Sequence, residues 1–287
     1  MRRTACLLLL ALLLGLMKPG IAEIYLDREP PADWADKPTL RITAFAAVTN
    51  DCTLLEVGGR SMLIDGGVRK WRTQLTDALR ELGYDGHVDI LFNSHPHDDH
   101  LQGVTYMVNE GFRADEFWSS FPVTYRNDTQ KAAVKALEKA GIPYRQLTLG
   151  ETVDFGGATL YFWWWEDGRD GNSRSCVMHV RFGDATVLFT GDATGETQRG
   201  MLAGMPEEYL RADILKEPHH GLVRLVPDFL RTVDPGFVFV TSRKSSSENA
   251  TAQLIDFGIP YAHTSRGRVV MVTDGTDWYI MQYEGEF

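Results

Sequence analysis

Between His95 and His100 the chain places four side chains that bind metal ions well: His95, His97, Asp99 and His100. The pattern is H-x-H-x-D-H. His95 and His97 are two residues apart, so in an extended segment they point to the same side and can grip one ion together. Asp99 and His100 follow as the chain begins to turn, and they can aim at a second, adjacent ion. Imidazoles and carboxylates without a thiolate suit zinc, and also manganese or iron. Two neighbouring divalent ions suit metal-assisted hydrolysis. A surface loop is also polar, but three histidines and an aspartate in this register exceed what a loop needs.

Three more places carry candidate ligands. Asp65 ends an apolar run and precedes Gly66-Gly67, where glycine lets the backbone pass close to a neighbour. A functional reading has it hold a ligand histidine by a hydrogen bond. Asp192 follows Thr186-Val187-Leu188-Phe189 and Gly191, a position from which a carboxylate can bridge two ions. His219-His220-Gly221 follows Ile214-Leu215 and Pro218, and the vicinal pair can supply one ligand and one proton donor facing substrate. Taken singly, Asp65 and Asp192 read as ordinary turn or cap residues, and Lys216 reads as a surface lysine, with contact to an anionic oxygen as the competing reading.

The elements that must position these groups are legible from periodicity. Val88–Phe92 reads as a buried strand delivering the histidine cluster, and a helix is expected over 101–110. Upstream, 39–49 alternates as a strand, and 54–57 with 62–64 forms a hairpin turned at Gly58-Gly59. Trp71, Leu75, Leu79 and Leu82 recur at helical spacing, and a further helix spans 129–140. Strands follow over 152–155, 159–165, 175–182 and 186–189, then a helix over 195–202. The last third alternates strand (214–215), helix (227–232), strand (237–240) and helix (251–257). Two closing strands, 269–272 and 278–281, complete it. No linker interrupts 39–284, so one domain is expected, with two packed sheets flanked by helices.

Together the pieces resemble one family. H-x-H-x-D-H after a strand, then Thr190-Gly191-Asp192, then Leu215-Lys216-Glu217-Pro218-His219-His220-Gly221 is similar to the metallo-β-lactamase fold. Within it the likeness is to the hydrolase domain of ComEC-type competence proteins and their secreted stand-alone relatives. Ile64-Asp65-Gly66-Gly67 and Asn172-Ser173-Arg174-Ser175 also match that branch. The resemblance implies an α/β fold, a four-layer αββα sandwich. It implies that His95 and His97 bind one metal, that Asp99, His100 and one of His219 and His220 bind the second, and that Asp192 bridges them. There are departures. Asn172 stands where superfamily enzymes usually carry another histidine. Leu222 replaces the branch's serine, Thr49-Asn50-Asp51 is all that is left of a Gly-Gln-Gly-Asp element, and a later His-Pro element is missing near Ser247-Glu248-Asn249.

Other features rank lower. Trp163-Trp164-Trp165 is expected to pack rather than to wall a ligand site. His179 is expected to pack within its strand, and His87 and His263 to be structural or exposed. Cys52 and Cys176 read as buried free thiols, with a disulfide as the competing possibility.

Arg2-Arg3, the apolar run from Leu7 and Gly20-Ile21-Ala22 read as a signal peptide over 1–22, too short to anchor in a bilayer. An extended lead-in, 23–38, precedes the hydrolase domain, 39–284. Removal of Arg2, Arg3 and Lys18 takes the formal charge from −10 to −13, which disfavours a stable nucleic-acid complex. The expectation is therefore a secreted or periplasmic hydrolase with two divalent ions, acting on a small-molecule or polymer phosphodiester. Asp99, His219, His220 and Asp65 are its catalytic candidates. The competing readings are β-lactam or other amide or ester hydrolysis on the same fold, and a non-catalytic, metal-stabilised binding protein.

Overall fold

The computed structural model describes residues 22–46 and 50–287. The leader expected over 1–22 lies outside the described residues except for Ala22, and so do positions 47–49 of the first expected strand.

In chain order the first part comprises β1 (Ile24–Leu26), β2 (Leu40–Ala44), β3 (Thr53–Val57), β4 (Arg60–Ile64), α1 (Arg72–Glu81), β5 (His87–Asn93), α2 (Asp98–Asn109), β6 (Arg113–Ser119), α3 (Asp128–Ala140) and β7 (Tyr144–Gln146). The second part comprises β8 (Thr152–Phe155), β9 (Ala158–Trp163), β10 (Val177–Phe182), β11 (Ala185–Phe189), α4 (Gly195–Gly204), α5 (Glu207–Leu210), β12 (Ile214–Lys216), α6 (Pro227–Val233), β13 (Phe237–Val240), α7 (Glu248–Asp256), β14 (Tyr261–His263), β15 (Gly267–Thr273) and β16 (Trp278–Glu284). They form a nine-stranded sheet, β1-β16-β15-β2-β3-β4-β5-β6-β7, and a seven-stranded sheet, β14-β13-β12-β11-β10-β9-β8.

Strand alternation explains the layering. Leu55, Met62, Ile64, Ile90 and Phe92 of the first sheet meet Leu160, Phe162, Met178, Val187 and Phe239 of the second in one core. Their neighbours Leu54, Leu63 and Leu91 point the other way and are covered by Leu75 and Leu79 of α1, Leu101 and Val104 of α2, and Leu137 of α3. On the far side Leu188, Leu215 and Val238 are covered by Met201, Leu230 and Leu254 of α4, α6 and α7. Each side chain alternates across the pleat, so each sheet buries both faces. The result is the four-layer αββα sandwich, a single domain.

Several strands escape the periodicity reading. β6 opens Arg-Ala-Asp-Glu, and its charged first half hides a buried second half, Phe117-Trp118-Ser119. β1, β7 and β14 have three residues each. β1 lies in the lead-in and pairs in parallel with β16. Two helices begin three residues earlier than their apolar stripes indicate, α2 at Asp98 and α7 at Glu248. Their first turns are polar or acidic, which suits a helix N-terminus.

The tryptophan triplet packs as expected, although β9 ends at Trp163 and the strand expected to reach Trp165 stops two residues short. Trp163 faces the second sheet's helices, Trp164 faces the core between sheets, and Trp165 lies on α4, where a side chain at Gly200 would meet its ring at 2.4 Å.

Candidate metal centre

The centre lies where the two sheets present their loops to each other. β5 and the extended run after it bring His95 and His97 to the same place, their ring centroids 4.5 Å apart. Because α2 starts at Asp98, Asp99 and His100 occupy its first turn, and the His100 ring comes within 4.1 Å of the His95 ring. From the second sheet, Asp192 enters after β11. His219 and His220 enter after β12 on a turn where both carry left-handed backbone, φ 51° and 55°. Left-handed backbone is costly for residues other than glycine and persists only where its surroundings fix it.

Asp192 is the hub. Its Oδ1 lies 3.1 Å from His100 Nε2 and 3.4 Å from His220 Nε2. Its Oδ2 lies 3.6 Å from His219 Nε2 and 3.8 Å from His95 Nε2. Asp99 Oδ2 stands 3.3 Å from His220 Nε2, and this side chain is one-third exposed. The carboxylate of Asp99 is thus the open edge of the centre.

The rings are held from behind. Asp65 Oδ2 sits 2.8 Å from His100 Nδ1, while its oxygens accept hydrogen bonds from the Ser94 amide, the Ser94 hydroxyl and the Asn93 amide group. Asp65 can stand there because Gly66 and Gly103 let α2 pack against its loop: a Cβ on Gly103 would lie 1.9 Å from Gly66 O. Behind His220, Thr241 Oγ1 lies 2.9 Å and Asp51 Oδ1 3.1 Å from Nδ1, and the Thr241 hydroxyl donates to Asp51. Bonds of this kind fix ring orientation and tautomer, leaving Nε2 free to point inward.

Asp51 was not expected here, and only its acidity and position in Thr49-Asn50-Asp51 hinted at it. Lys216 corrects the surface reading. It is buried, its Nζ donating to Gly191 O at 2.8 Å and pairing with Asp51 Oδ2 at 2.5 Å. It supplies a fixed positive charge among buried carboxylates. His179 lies apart, Nε2 3.2 Å from Arg211 O and its ring against Tyr209. His263 is buried against Ser242 O, and His87 is exposed beside Asp115. Cys52 and Cys176 are free, buried thiols.

The residues fit divalent metal. Nε2 of His95, His100 and His220 and Oδ1 of Asp192 are buried with no hydrogen-bond partner among the described residues. His100 Nε2 and Asp192 Oδ1 approach to 3.1 Å without hydrogen-bond alignment. One ligand atom from each of Asp51, His100, Asp192 and His220 lies within 4.8 Å of all the others. Buried polar atoms left unpaired are expensive, and a shared cation satisfies all of them at once.

Charge distribution agrees. Burial opposes charge on His220, but the carboxylates of Asp192 and Asp51 outweigh it and raise its pKa to about 9. Burial likewise opposes charge on His100, and Asp192 and Asp65 raise it well above the usual histidine range. Burial lowers His95, and His100 beside it lowers it further. The protein therefore carries a region that favours positive charge, the electrostatic requirement for holding a cation.

Residues 47–256 match the Metallo-beta-lactamase superfamily. A ribonuclease of Thermus thermophilus is 25% identical over 216 residues, 68% of this chain and 48% of that protein. The chain thus spans about half the length of this curated relative. Among solved structures, the metallo-beta-lactamase fold protein YhfI from Bacillus subtilis superposes with a TM-score of 0.54 at 13% identity, covering 83% of this chain and all of that one. CmlA, a diiron beta-hydroxylase from Streptomyces venezuelae, superposes with a TM-score of 0.52 at 12% identity, over 84% and 55% of the two chains.

Proposed function

The chain belongs to the metallo-beta-lactamase superfamily, and from that membership we propose that it is a metal-dependent hydrolase whose substrates are phosphodiesters. The observation that carries the reading is the convergence of the buried, unpaired Nε2 atoms of His95, His100 and His220 on the two oxygens of Asp192. Divalent ions held there, zinc in the first instance and manganese or iron as alternatives, would supply Lewis acidity and an activated nucleophile at neutral pH.

The chain's own residues supply the rest. His100 and His220, with Asp99 and Asp192, form one side of the centre. His95 approaches the other side of Asp192, with the His97 ring beside it. Asp65 holds His100, and Asp51 with Thr241 holds His220, so the rings do not reorganise during turnover. Burial opposes ionisation of Asp99, but His220 outweighs it and holds the carboxyl at about 2. Asp99 is therefore an anion at working pH, a ligand rather than a general acid. Its exposure marks the side from which substrate arrives.

The ribonuclease relative supports the choice of a phosphodiester, as does the likeness to the ComEC-type branch in Asn172-Ser173-Arg174-Ser175. The same Asn172, in place of a histidine, counts against β-lactam hydrolysis. Export through residues 1–22 is part of the proposal, supported by the composition of that segment.

The test is turnover of a chromogenic phosphodiester by the purified protein with added zinc or manganese, against a chelator control, the His100→Ala variant and a β-lactam. Metal-dependent cleavage of the phosphodiester that His100→Ala abolishes is expected. Cleavage of the β-lactam alone, or of neither with metal bound, overturns the substrate class.

A further inference from the structure

The vicinal histidines enter the centre on consecutive residues but do not reach the same side of it. His220 Nε2 lies on Oδ1 of Asp192 with His100, and also faces Asp99. His219 Nε2 lies on Oδ2 with His95. The two rings stand 6.1 Å apart and are inclined at 61°. Two successive left-handed residues produce this divergence. The turn is also anchored, since the His219 amide donates to Gly191 O at 3.2 Å, next to Asp192 itself.

The Oδ2 side has a built wall. Gly171 lies so close to His97 that a Cβ there would meet its Nε2 at 2.7 Å. The next residue, Asn172, places Nδ2 3.4 Å from His219 Nε2 and leaves its own Oδ1 buried and unpartnered among the described residues. A donor amide at that point leaves His219 Nε2 as a lone-pair atom. That is the form in which imidazole binds metal.

We propose that His219 is a metal ligand, serving with His95 and His97 a divalent-cation subsite on Oδ2 of Asp192, distinct from the subsite that His220, His100 and Asp99 form on Oδ1. The vicinal pair is thereby divided between two ions, and His219 is not a free proton donor. The proposal rests on the metal-centre reading above and deepens it.

The experiment is zinc binding to the apo-protein by equilibrium dialysis with elemental analysis, in wild type, His219→Asn and His220→Asn. Asparagine is chosen because it tolerates left-handed backbone, and circular dichroism checks that each variant folds. Two equivalents are expected in wild type. His219→Asn should lose one equivalent, or weaken it at least about tenfold, and retain the other. His220→Asn should lose the complementary one, giving a different cobalt(II) absorption spectrum. Two equivalents of unchanged affinity in His219→Asn overturn the proposal, even with activity lost, and so does the loss of both.

A single wild-type equivalent that His219→Asn leaves intact also overturns it, while sparing the metal centre. A wild type that binds no zinc, manganese or cobalt overturns the centre itself. A second measurement needs no variant. His219 is one-quarter exposed, so zinc should protect its ring from carbethoxylation in the native protein, read by peptide mass spectrometry. Equal labelling with and without zinc again refutes the assignment.

Discussion

Glu217 shows how the centre shapes residues that take no part in it. The backbone between Lys216 and His219 is fixed by two functional side chains, and Glu217 is left fully buried with neither carboxylate oxygen hydrogen-bonded among the described residues. Burial raises its pKa from 4.5 to about 8, although Lys216 draws it back somewhat. The folded state therefore holds a proton that the unfolded chain releases at about pH 4.5. Between about 4.5 and 8 the native protein binds more protons, so this group's contribution to stability falls as pH rises. Glu217→Gln keeps the shape and removes the titration. Its melting temperature relative to wild type should climb steadily from pH 5 to pH 8, the difference reaching several kcal/mol on conversion. A difference that stays flat with pH would show that Glu217 ionises freely in the native state. Sequence periodicity marks Glu217 only as polar, because nothing local reveals that β12 ends in the interior. The same blindness hid Asp51 and Lys216, which pair with each other across 165 positions of the chain. The H-x-H-x-D-H cluster was legible because its candidate ligands are neighbours in sequence as well as in space. The division of His219 from His220 was not, since it depends on backbone dihedrals that both residues adopt against their preference.

At the scale of elements, the joint between α2 and the loop after β4 sets the position of His100. Gly66 and Gly103 face each other there, and the Gly103 amide donates to Gly67 O at 2.6 Å. Gly103→Ala would drive a methyl group into Gly66 O, and α2 must then lift. The expected cost is about 1–3 kcal/mol or more, seen as a lower midpoint in denaturant, with zinc affinity falling alongside because His100 rides on the same turn. Gly204→Ala is the control: its Cβ would meet only Trp163, at an ordinary 3.8 Å, and the change should stay within about 0.5 kcal/mol. If both variants melt alike, the joint does not position the site. Elements with a full apolar stripe, such as α1 and α3, and short apolar runs on either side of a glycine turn, such as β3 and β4, were readable in advance. β6 was not, because its exposed end is charged, and the three-residue edge strands offer too few positions for any period to show.

At the scale of the molecule, the apolar layers and the metal centre are separate sources of stability. Three packed cores hold the four layers together without help from the histidines, so removing metal should weaken the fold without abolishing it. An ion present at one hundred times its dissociation constant adds about 2.7 kcal/mol, and for a chain of this length each kcal/mol moves the midpoint by about 2–4 °C. Excess chelator should therefore lower the melting temperature by about 5–10 °C per ion while the transition stays single and the far-ultraviolet spectrum unchanged at 25 °C. Collapse of the spectrum on chelation would make the metal structural and return weight to a binding-protein role. The placement of the candidate ligands gives the centre one more property. His95, His97, Asp99 and His100 hang from the first sheet, Asp192, His219 and His220 from the second. Any slip of one sheet over the other parts the two sets, so metal affinity acts as a gauge of their alignment, sensitive to strain anywhere along the seam.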